Sequence, residues 1–541
     1  MNISISFSWP AGAWINTAWI FLWECLSEKW YYILADKEYD SIIKWWNNVF
    51  TLYISDTRNF ISKKIDYFFA YDDLAVERNN KVYDLKNIIK IEKTECKYQN
   101  VYSVGSAFKI LWLDLELGKE KLAKVFSWEV LENNLNDFEN WYNKIEKKSE
   151  LISLDLNQNI WNPRKFMFGN EVIVEWAVVS WLEFYSAYPM TPASSLIDAV
   201  TKHKNVIFFQ WEDEIAVSMS MLGAHFAWKR AMCGTSWGGF ALMVESLAFA
   251  AEAEIWWVYI FSQRAGPSTG TPTFTEQADL SFALNSSFWD TMPIVLIPSD
   301  YENWYFLIWK ALNFADIYQQ PVIVMLDKQF SESYISLNME TLKEGKMERW
   351  KLIQNSIAED TFKRYLLEKD GISARSVPWI ENWEFIWTSY EHDEYWATSE
   401  EPEVKKIMTE KRHQKLKTFV EKEFDSDFYW YEIINPEAKK FFITFGFNKY
   451  ALENYIADKH ELWLIVITVV QPIDIRLKKF FEDNFDSIEE LIFVEMNYSW
   501  QMETYLRNQF GMITERWNKK IKNIRKYTLY PFFEEDFDAT N

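Results

Sequence analysis

Tyr188-Pro189-Met190-Thr191-Pro192, Glu212-Asp213-Glu214, Gly234-Thr235-Ser236-Trp237-Gly238-Gly239 and Gln263-Arg264-Ala265-Gly266-Pro267-Ser268-Thr269-Gly270 follow one another between Phe184 and Gln277. Apolar runs separate them, with strand candidates at Val206 to Phe209 and Trp256 to Phe261. Polar turns between apolar strands and helices predict an α/β domain whose ligand site lies at the strand ends. Further strand candidates at Ile294 to Ile297 and Val322 to Leu326 alternate with helical patterns. Residues 165–345 are therefore expected to form a doubly wound parallel sheet.

The chain continues on both sides of this domain. In residues 1–160, Ile3 to Phe7 alternates like a strand, Trp9-Pro10-Ala11-Gly12-Ala13-Trp14 forms a turn, and Ile15 to Lys29 follows as a helix-like run. Tyr31 to Ala35 is a second strand candidate. The turn either cradles a phosphate or packs the helix on the sheet. Tyr39-Asp40-Ser41 and Trp45-Trp46-Asn47 read as a second polar turn, and the polar run Asn134 to Asn162 as a linker. Residues 346–430, rich in Lys and Glu, are expected to be a helical, solvated connector. Glu391-His392-Asp393-Glu394 within it offers either a metal site or an exposed loop, and the lack of a second His or Cys nearby favours the loop. Residues 431–541 carry a third α/β unit, with strand candidates at Phe441 to Phe445, Leu464 to Val469 and Leu491 to Val494. The fold class expected is α/β, in three doubly wound or Rossmann-like domains.

Composition narrows the function. A length of 541 residues suits several domains, and 49% hydrophobic with 25% charged residues is ordinary for a globular protein. A net charge of -22 argues against a nucleic acid or an anionic membrane as partner and fits a cytoplasmic protein. Cys25, Cys96 and Cys233 lie far apart, which leaves no disulfide framework, zinc motif or cluster-binding motif. Trp9 to Trp23 is apolar but interrupted by Asn16 and Thr17, too short to span a bilayer.

Two counts are abnormal. Glycine is 14 of 541 residues, where about 7% is usual, and tryptophan is 30. Tryptophan also stands where turns want glycine, as at Trp9, Trp14, Trp30 and Trp237. UGA codons that specify glycine, translated here as tryptophan, would produce this pattern. A truly tryptophan-rich protein is the alternative.

Several residues in the central stretch suit chemistry, and each has a structural alternative. Glu214 in a poorly solvated cleft can act as an acid–base group, while Glu212, Asp213 and Glu214 together also suit a helix N-terminus. Thr191 before Pro192 reads as a helix N-cap, or as a hydroxyl for a ligand. Arg264 can clamp a carboxylate with two hydrogen bonds, or form a structural ion pair. Thr269 and Ser268 share its turn. Gly238 and Gly239 allow a ligand or partner close approach, or close helix–sheet packing. Cys233 reads as a small buried apolar residue.

Taken in order, Tyr188 to Ser195, Glu212 to Ala216, Gly234 to Met243, Gln263 to Gly270 and Thr275 to Gln277 closely resemble the α subunit of 2-oxoacid:ferredoxin oxidoreductases. Glu391 to Glu394, Val494-Glu495-Met496-Asn497 and Gln501 resemble the same family. Pro10-Ala11-Gly12, Asn16-Thr17 and Asp36 to Tyr39 resemble its γ domain, fused here at the N-terminus. The resemblance implies a thiamine-diphosphate pyrimidine-binding domain at 165–345 and a transketolase-C-like domain at 431–541. It implies oxidative decarboxylation of a 2-oxoacid to an acyl-CoA and CO2, with ferredoxin as electron acceptor. Glu214 would activate the aminopyrimidine of the cofactor. Thr191, Arg264, Thr269 and Ser268 would hold the 2-oxoacid, and Gly238 and Gly239 would line the cofactor. A separate β subunit would hold the diphosphate, its Mg2+ and an iron–sulfur cluster, consistent with the absence of a Gly-Asp-Gly segment and a cysteine cluster here. CoA is the co-substrate. The Tyr188-Pro189-Met190-Thr191-Pro192 turn with the fused γ domain leans towards 2-oxoglutarate over pyruvate. A non-catalytic assembly or nucleotide-binding protein of the same fold is the competing reading. A single-chain transketolase-type enzyme is a third, disfavoured by the missing diphosphate motif.

Overall fold

The computed structural model describes residues 2–10, 21–23, 25–26, 32–39, 47–91, 99–144, 164–288, 290, 292–339, 345–358, 362–377, 379–423, 431–434 and 439–540. The chain forms two compact units. One comprises Met1–Phe168, Glu332–Lys343 and Phe533–Asn541; the other comprises Gly169–Ser331 and Glu344–Phe532.

The first unit is built on a seven-stranded mixed sheet, in the order Asp84–Lys90, Lys64–Ala70, Asn2–Pro10, Asn47–Ser55, Tyr32–Tyr39, Tyr334–Asn338, Arg164–Phe168. Ile3, Ile5 and Phe7 alternate with Ser4, Ser6 and Ser8, and both faces of the strand are buried. The apolar face joins a core with Phe108 and Phe138. Ser4 Oγ donates to the Lys64 carbonyl at 2.7 Å and Ser6 Oγ accepts from Thr51 Oγ1 at 3.1 Å, while the Ser8 hydroxyl is buried without a partner among the described residues. A doubly wound arrangement is not what this unit adopts. Tyr32–Tyr39 and Asn47–Ser55 pair antiparallel, and Asn47–Ser55 lies between Tyr32–Tyr39 and the first strand. Parallel pairing needs a crossover of a dozen or more residues, which the seven residues 40–46 cannot supply. Tyr39 and Asn47 are strand residues rather than turn residues. The rest of that expected turn lies outside the described residues, as do Ala11 to Trp14 and most of the helix-like run to Lys29. The expected linker is also partly wrong. Trp128–Lys144 is a helix that buries Asn134, Phe138 and Trp141, an apolar stripe diluted by asparagines that made it read as loop. Residues 145–162 lie outside the described residues.

In the second unit a seven-stranded sheet runs Val469–Gln471, Ile294–Leu296, Val322–Asp327, Val258–Gln263, Ala231–Thr235, Phe184–Ala187, Ile207–Gln210. Every pairing is parallel except that of Val469–Gln471 with Ile294–Leu296. The chain moves outward from Phe184–Ala187 to Ile207–Gln210, then returns to place Ala231–Thr235 on the opposite side. That reversal is a topological switch point, where open parallel sheets form crevices at their carboxyl ends. A five-stranded sheet in the same unit runs Tyr431–Ile434, Leu462–Ile467, Lys440–Thr444, Glu490–Glu495, Ile521–Arg525. Its Phe441, Ile443, Ile465 and Phe493 share one core with Phe240, Tyr259, Phe261 and Ile323. Between the two sheets in sequence, Pro402–Glu423 is a 22-residue helix that buries Met408, Lys411, Arg412, Lys415 and Phe419. One face of the expected solvated connector is therefore packed.

Candidate active site

Because their strands are parallel, the turns after Phe184–Ala187, Ile207–Gln210, Ala231–Thr235 and Val258–Gln263 leave the same edge of the sheet. Those turns are the four polar stretches of the sequence. The third runs directly into the helix Trp237–Glu252 and the second into the helix Glu214–Phe226.

Glu214 opens its helix. Asp213 is the N-cap, accepting from the Ala216 N–H at 2.6 Å, and Glu214 is only 4% exposed. Among the described residues no group donates to its carboxylate. Gly239 lies against it: a Cβ there would sit 2.8 Å from Glu214 Oε1 and 2.2 Å from Thr235 Oγ1. Gly238 has nothing within 4 Å of a built Cβ and faces open space. The two glycines thus divide the two readings between them. Gly239 serves packing, and Gly238 is free of neighbours on that side.

Arg264 is 8% exposed. Its Nη1 donates to the Thr191 carbonyl at 2.7 Å, and its guanidinium lies over the Trp237 ring at 5.0 Å. Its Nε is buried without an acceptor. Among the described residues no carboxylate is within ion-pair distance of it, so the structural ion pair is not what the fold builds. Burial lowers its pKa, and the nearby Asp279 partly offsets this. A buried guanidinium with an unused Nε donor has the chemistry to receive a carboxylate.

Thr191 is not an N-cap. The following helix, Ser195–Val200, begins four residues later, after a turn at 191–194. Asn170 holds that turn, its Nδ2 donating to the Pro192 carbonyl at 2.8 Å and to Ser195 Oγ at 2.7 Å. The fold brings Thr191 to Arg264 through its carbonyl. Ser268 and Thr269 are exposed on the loop after Ala265. That loop is closed by the Ala265–Thr271 bridge and by the Gly266 N–H donating to Glu276 Oε2 at 3.1 Å. Cys233 is fully buried, which pushes its thiol up and leaves it inert.

Sequence reasoning missed Asn170, Glu276 and Asp279. Burial, the neighbouring Glu276 and, in opposition, Arg264 set the Asp279 carboxyl, which is pushed up to about 7. Only Asp279's position two residues beyond Gln277 hinted at the site. Gln277 itself is structural: it donates to Asp327 Oδ2 at 2.9 Å and accepts from Asn448 Nδ2 at 2.8 Å, while its N–H donates to the Met496 carbonyl at 2.8 Å. These bonds tie the seven-stranded sheet to the five-stranded one. Asn497 joins them by donating to the Gln277 carbonyl at 3.2 Å.

The segment Glu391 to Glu394 is not the exposed loop expected. Arg412 donates to Glu391 at 2.7 Å, Lys363 to Glu394 at 2.9 Å, and His392 is fully buried. Glu252, Glu391 and His392 offer ligand atoms within 4.8 Å of one another, but Arg412 pairs with both glutamates and Lys405 with Glu391. A cavity of about 490 Å³ nearby is lined by Met292, Pro321, Arg412 and His413 and takes in none of the residues named from the sequence.

The family described as "Pyruvate flavodoxin/ferredoxin oxidoreductase, thiamine diP-bdg" matches residues 177–410, a span that includes all four polar turns. Over that span the chain is similar to 2-oxoacid:ferredoxin oxidoreductases. It is 33% identical over 389 residues to subunit alpha of 2-oxoacid:ferredoxin oxidoreductase 2 of Aeropyrum pernix, covering 67% of this chain and 59% of that one. The corresponding subunit of enzyme 1 of Sulfurisphaera tokodaii is 27% identical over 496 residues, 86% of this chain and 74% of its own length. The 2-oxoglutarate synthase subunit KorA of Archaeoglobus fulgidus is 37% identical over 163 residues, 30% of this chain and 47% of that one. The fold is that of a 2-oxoglutarate:ferredoxin oxidoreductase from Magnetococcus marinus solved with 2-oxoglutarate, coenzyme A and succinyl-CoA. The TM-score is 0.88 at 23% identity, over 100% of this chain and 98% of that one. Among the described residues no helix is long and apolar enough to cross a membrane.

Proposed function

We propose that this chain is the α subunit, with a γ-type domain at its N-terminus, of an enzyme that oxidatively decarboxylates a 2-oxoacid to an acyl-CoA and CO2 and reduces ferredoxin. The observation that carries the reading is Glu214, a buried carboxylate with no donor among the described residues, opening a helix at the switch point of a parallel sheet. The lining fits the aminopyrimidine of thiamine diphosphate. Glu214 supplies an acceptor that no described residue donates to, and Gly238, next to the glycine packed on Glu214, has open space around it. When bound, thiamine diphosphate supplies the carbanion chemistry of decarboxylation. Glu214 would hold a proton at the pyrimidine ring nitrogen, in a cleft from which burial excludes water. Arg264 would bind the substrate carboxylate, positioned by its bond to the Thr191 carbonyl. The Thr191 hydroxyl, Thr269 and Ser268 would contact the remaining substrate oxygens.

A separate β subunit would contribute the diphosphate site with Mg2+ and an iron–sulfur cluster, and ferredoxin would accept the electrons. Among 2-oxoacids, 2-oxoglutarate is favoured by the named activities of the KorA relatives and of the Magnetococcus enzyme. The enzyme is expected in the cytoplasm. Co-purification with a cysteine-bearing partner, followed by CoA-dependent reduction of ferredoxin with 2-oxoglutarate, pyruvate and branched 2-oxoacids in turn, tests the proposal. No reduction with any of the three in a complex loaded with thiamine diphosphate sinks it.

A further inference from the structure

Among the described residues twelve other than glycine have positive φ, and six of them are tryptophan: Trp112, Trp128, Trp181, Trp228, Trp396 and Trp500, with φ between 54° and 69°. Tryptophan is 30 of 541 residues, so it supplies half of these positions from a small share of the chain. The left-handed region crowds Cβ against the backbone, and a bulky side chain there is an outlier.

Three of the six sit in one motif. The Trp112 N–H donates to the Lys109 carbonyl while the Leu113 N–H reaches back to Phe108. Trp181 with Leu182, and Trp228 with Lys229, repeat the pattern onto Val178 and Ala177, and onto His225 and Ala224. This is the Schellman ending of a helix, whose left-handed position is the commonest home of glycine. The chain supplies its own control. At Gly511, φ is 70°, and the N–H groups of Gly511 and Met512 donate to Asn508 and Arg507 in the same pattern. Among the described residues both bonds of the motif form around one glycine and three tryptophans, and Glu254, at φ 51°, is followed by the longer bond alone, from Ile255 to Ala250.

A second observation is independent of backbone angles. A buried indole N–H ordinarily finds an acceptor, as that of Trp256 does on Asp316 at 2.8 Å; the partly exposed Trp309 donates to the Lys346 carbonyl at 2.8 Å. Among the described residues the indole N–H groups of nine tryptophans are buried with no acceptor, and Trp237 is one of them. Trp237 also lies between Ser236 and Gly238, over the Arg264 guanidinium at 5.0 Å.

We infer that positions 112, 128, 181, 228, 237, 396 and 500 are glycine in the native protein, because the gene's UGA codons specify glycine in its own cell. Positions such as 256 and 309, with satisfied indoles, remain tryptophan. At 237 the consequence is specific to the site. Glycine there uncovers the face of Arg264, so that position 237 governs access to the carboxylate receptor. This last step rests on the proposed function; the codon assignment does not.

Peptide mapping by mass spectrometry of the protein isolated from its own cells tests the assignment without reference to activity. Glycine masses are expected at 112, 181, 228 and 237, and tryptophan masses at 256 and 309. Tryptophan at 181 and 228, or UGG at those codons, overturns it. The recombinant chain as written and its W112G/W181G double variant supply a second test. Both indoles are about half exposed, at 47% and 54%, and contribute little packing. The variant is expected to unfold several degrees higher, and no rise counts against the inference. W237G in the reconstituted complex should lower the apparent KM for the 2-oxoacid at least tenfold. If the masses show glycine at 237 and KM does not respond, the codon assignment stands and the role of Arg264 falls.

Discussion

A Cβ added at Gly239 would lie 2.8 Å from Oε1 of Glu214, so the first turn of one helix is packed directly on the acid that opens another. Gly239→Ala is expected to displace Glu214 and Thr235 together, at a cost of about 1–3 kcal/mol for overpacking. Both the unfolding midpoint and turnover should fall. Gly238→Ala meets nothing within 4 Å and should keep the midpoint, while its methyl enters the space proposed for the cofactor and lowers cofactor affinity. Thermal unfolding and thiamine diphosphate titration of the two variants separate packing from ligand approach. Equal midpoints for both would refute the division.

Glu214→Gln retains the N-cap at Asp213 and the shape of the side chain, so folding should be unaffected. The amide cannot exchange a proton with the pyrimidine. A loss on the order of 10²–10⁴-fold in turnover is expected for an acid–base group. Normal turnover in the reconstituted complex would remove Glu214 from the mechanism.

The Asp279 carboxyl, pushed up to about 7 by burial and by Glu276, carries a pH signature. An unfolded aspartate ionises near its ordinary value of about 3.9. Between that value and about 7 the folded chain holds a proton the unfolded chain has lost. Stability contributed here is therefore present at low pH and declines as pH rises through this window. Asp279→Asn, which stays neutral, should show a smaller drop in urea midpoint between pH 5 and pH 8. An unchanged drop would mean that Asp279 is ionised throughout.

Local chemistry explains which parts of this molecule were legible in sequence. The strands of the parallel sheet are continuous apolar runs because both faces are covered, and Val258–Gln263 and Val322–Asp327 fall within two residues of where the pattern places them. Arg264 stood out because it follows an apolar run as a lone charge, whereas Glu214 lies in the acidic triplet Glu212-Asp213-Glu214 and was singled out by resemblance to the family's site. Asn170 and Asp279 were not, since their importance comes from contacts with turns that sequence separation hides. In the first unit the sheet order depends on pairing between Tyr334–Asn338 and Tyr32–Tyr39, across some three hundred residues, which no local pattern announces.

The charged segment after residue 345 is the clearest misreading, and it makes the sharpest stability prediction. Lys411 and Lys415 lie one helical turn apart, both 1% exposed, and both bind the fully buried carboxylate of Glu254, Lys415 at 2.5 Å. Burial opposes charge on Glu254, but Lys411, Lys415 and Arg364 outweigh it and hold its carboxyl far below the usual range. Counting Lys and Glu along the chain reads such a segment as solvated, because composition does not report which charges face one another. Glu254→Gln would leave two buried ammonium groups without a counter-charge, at a cost of about 3–5 kcal/mol. Replacing all three residues by methionine removes the charges with their partners, and should cost far less or nothing. Urea unfolding of the single and triple variants checks the contrast. A triple variant less stable than Glu254→Gln would show that the ion cluster itself, rather than the avoidance of an uncompensated charge, stabilises this helix.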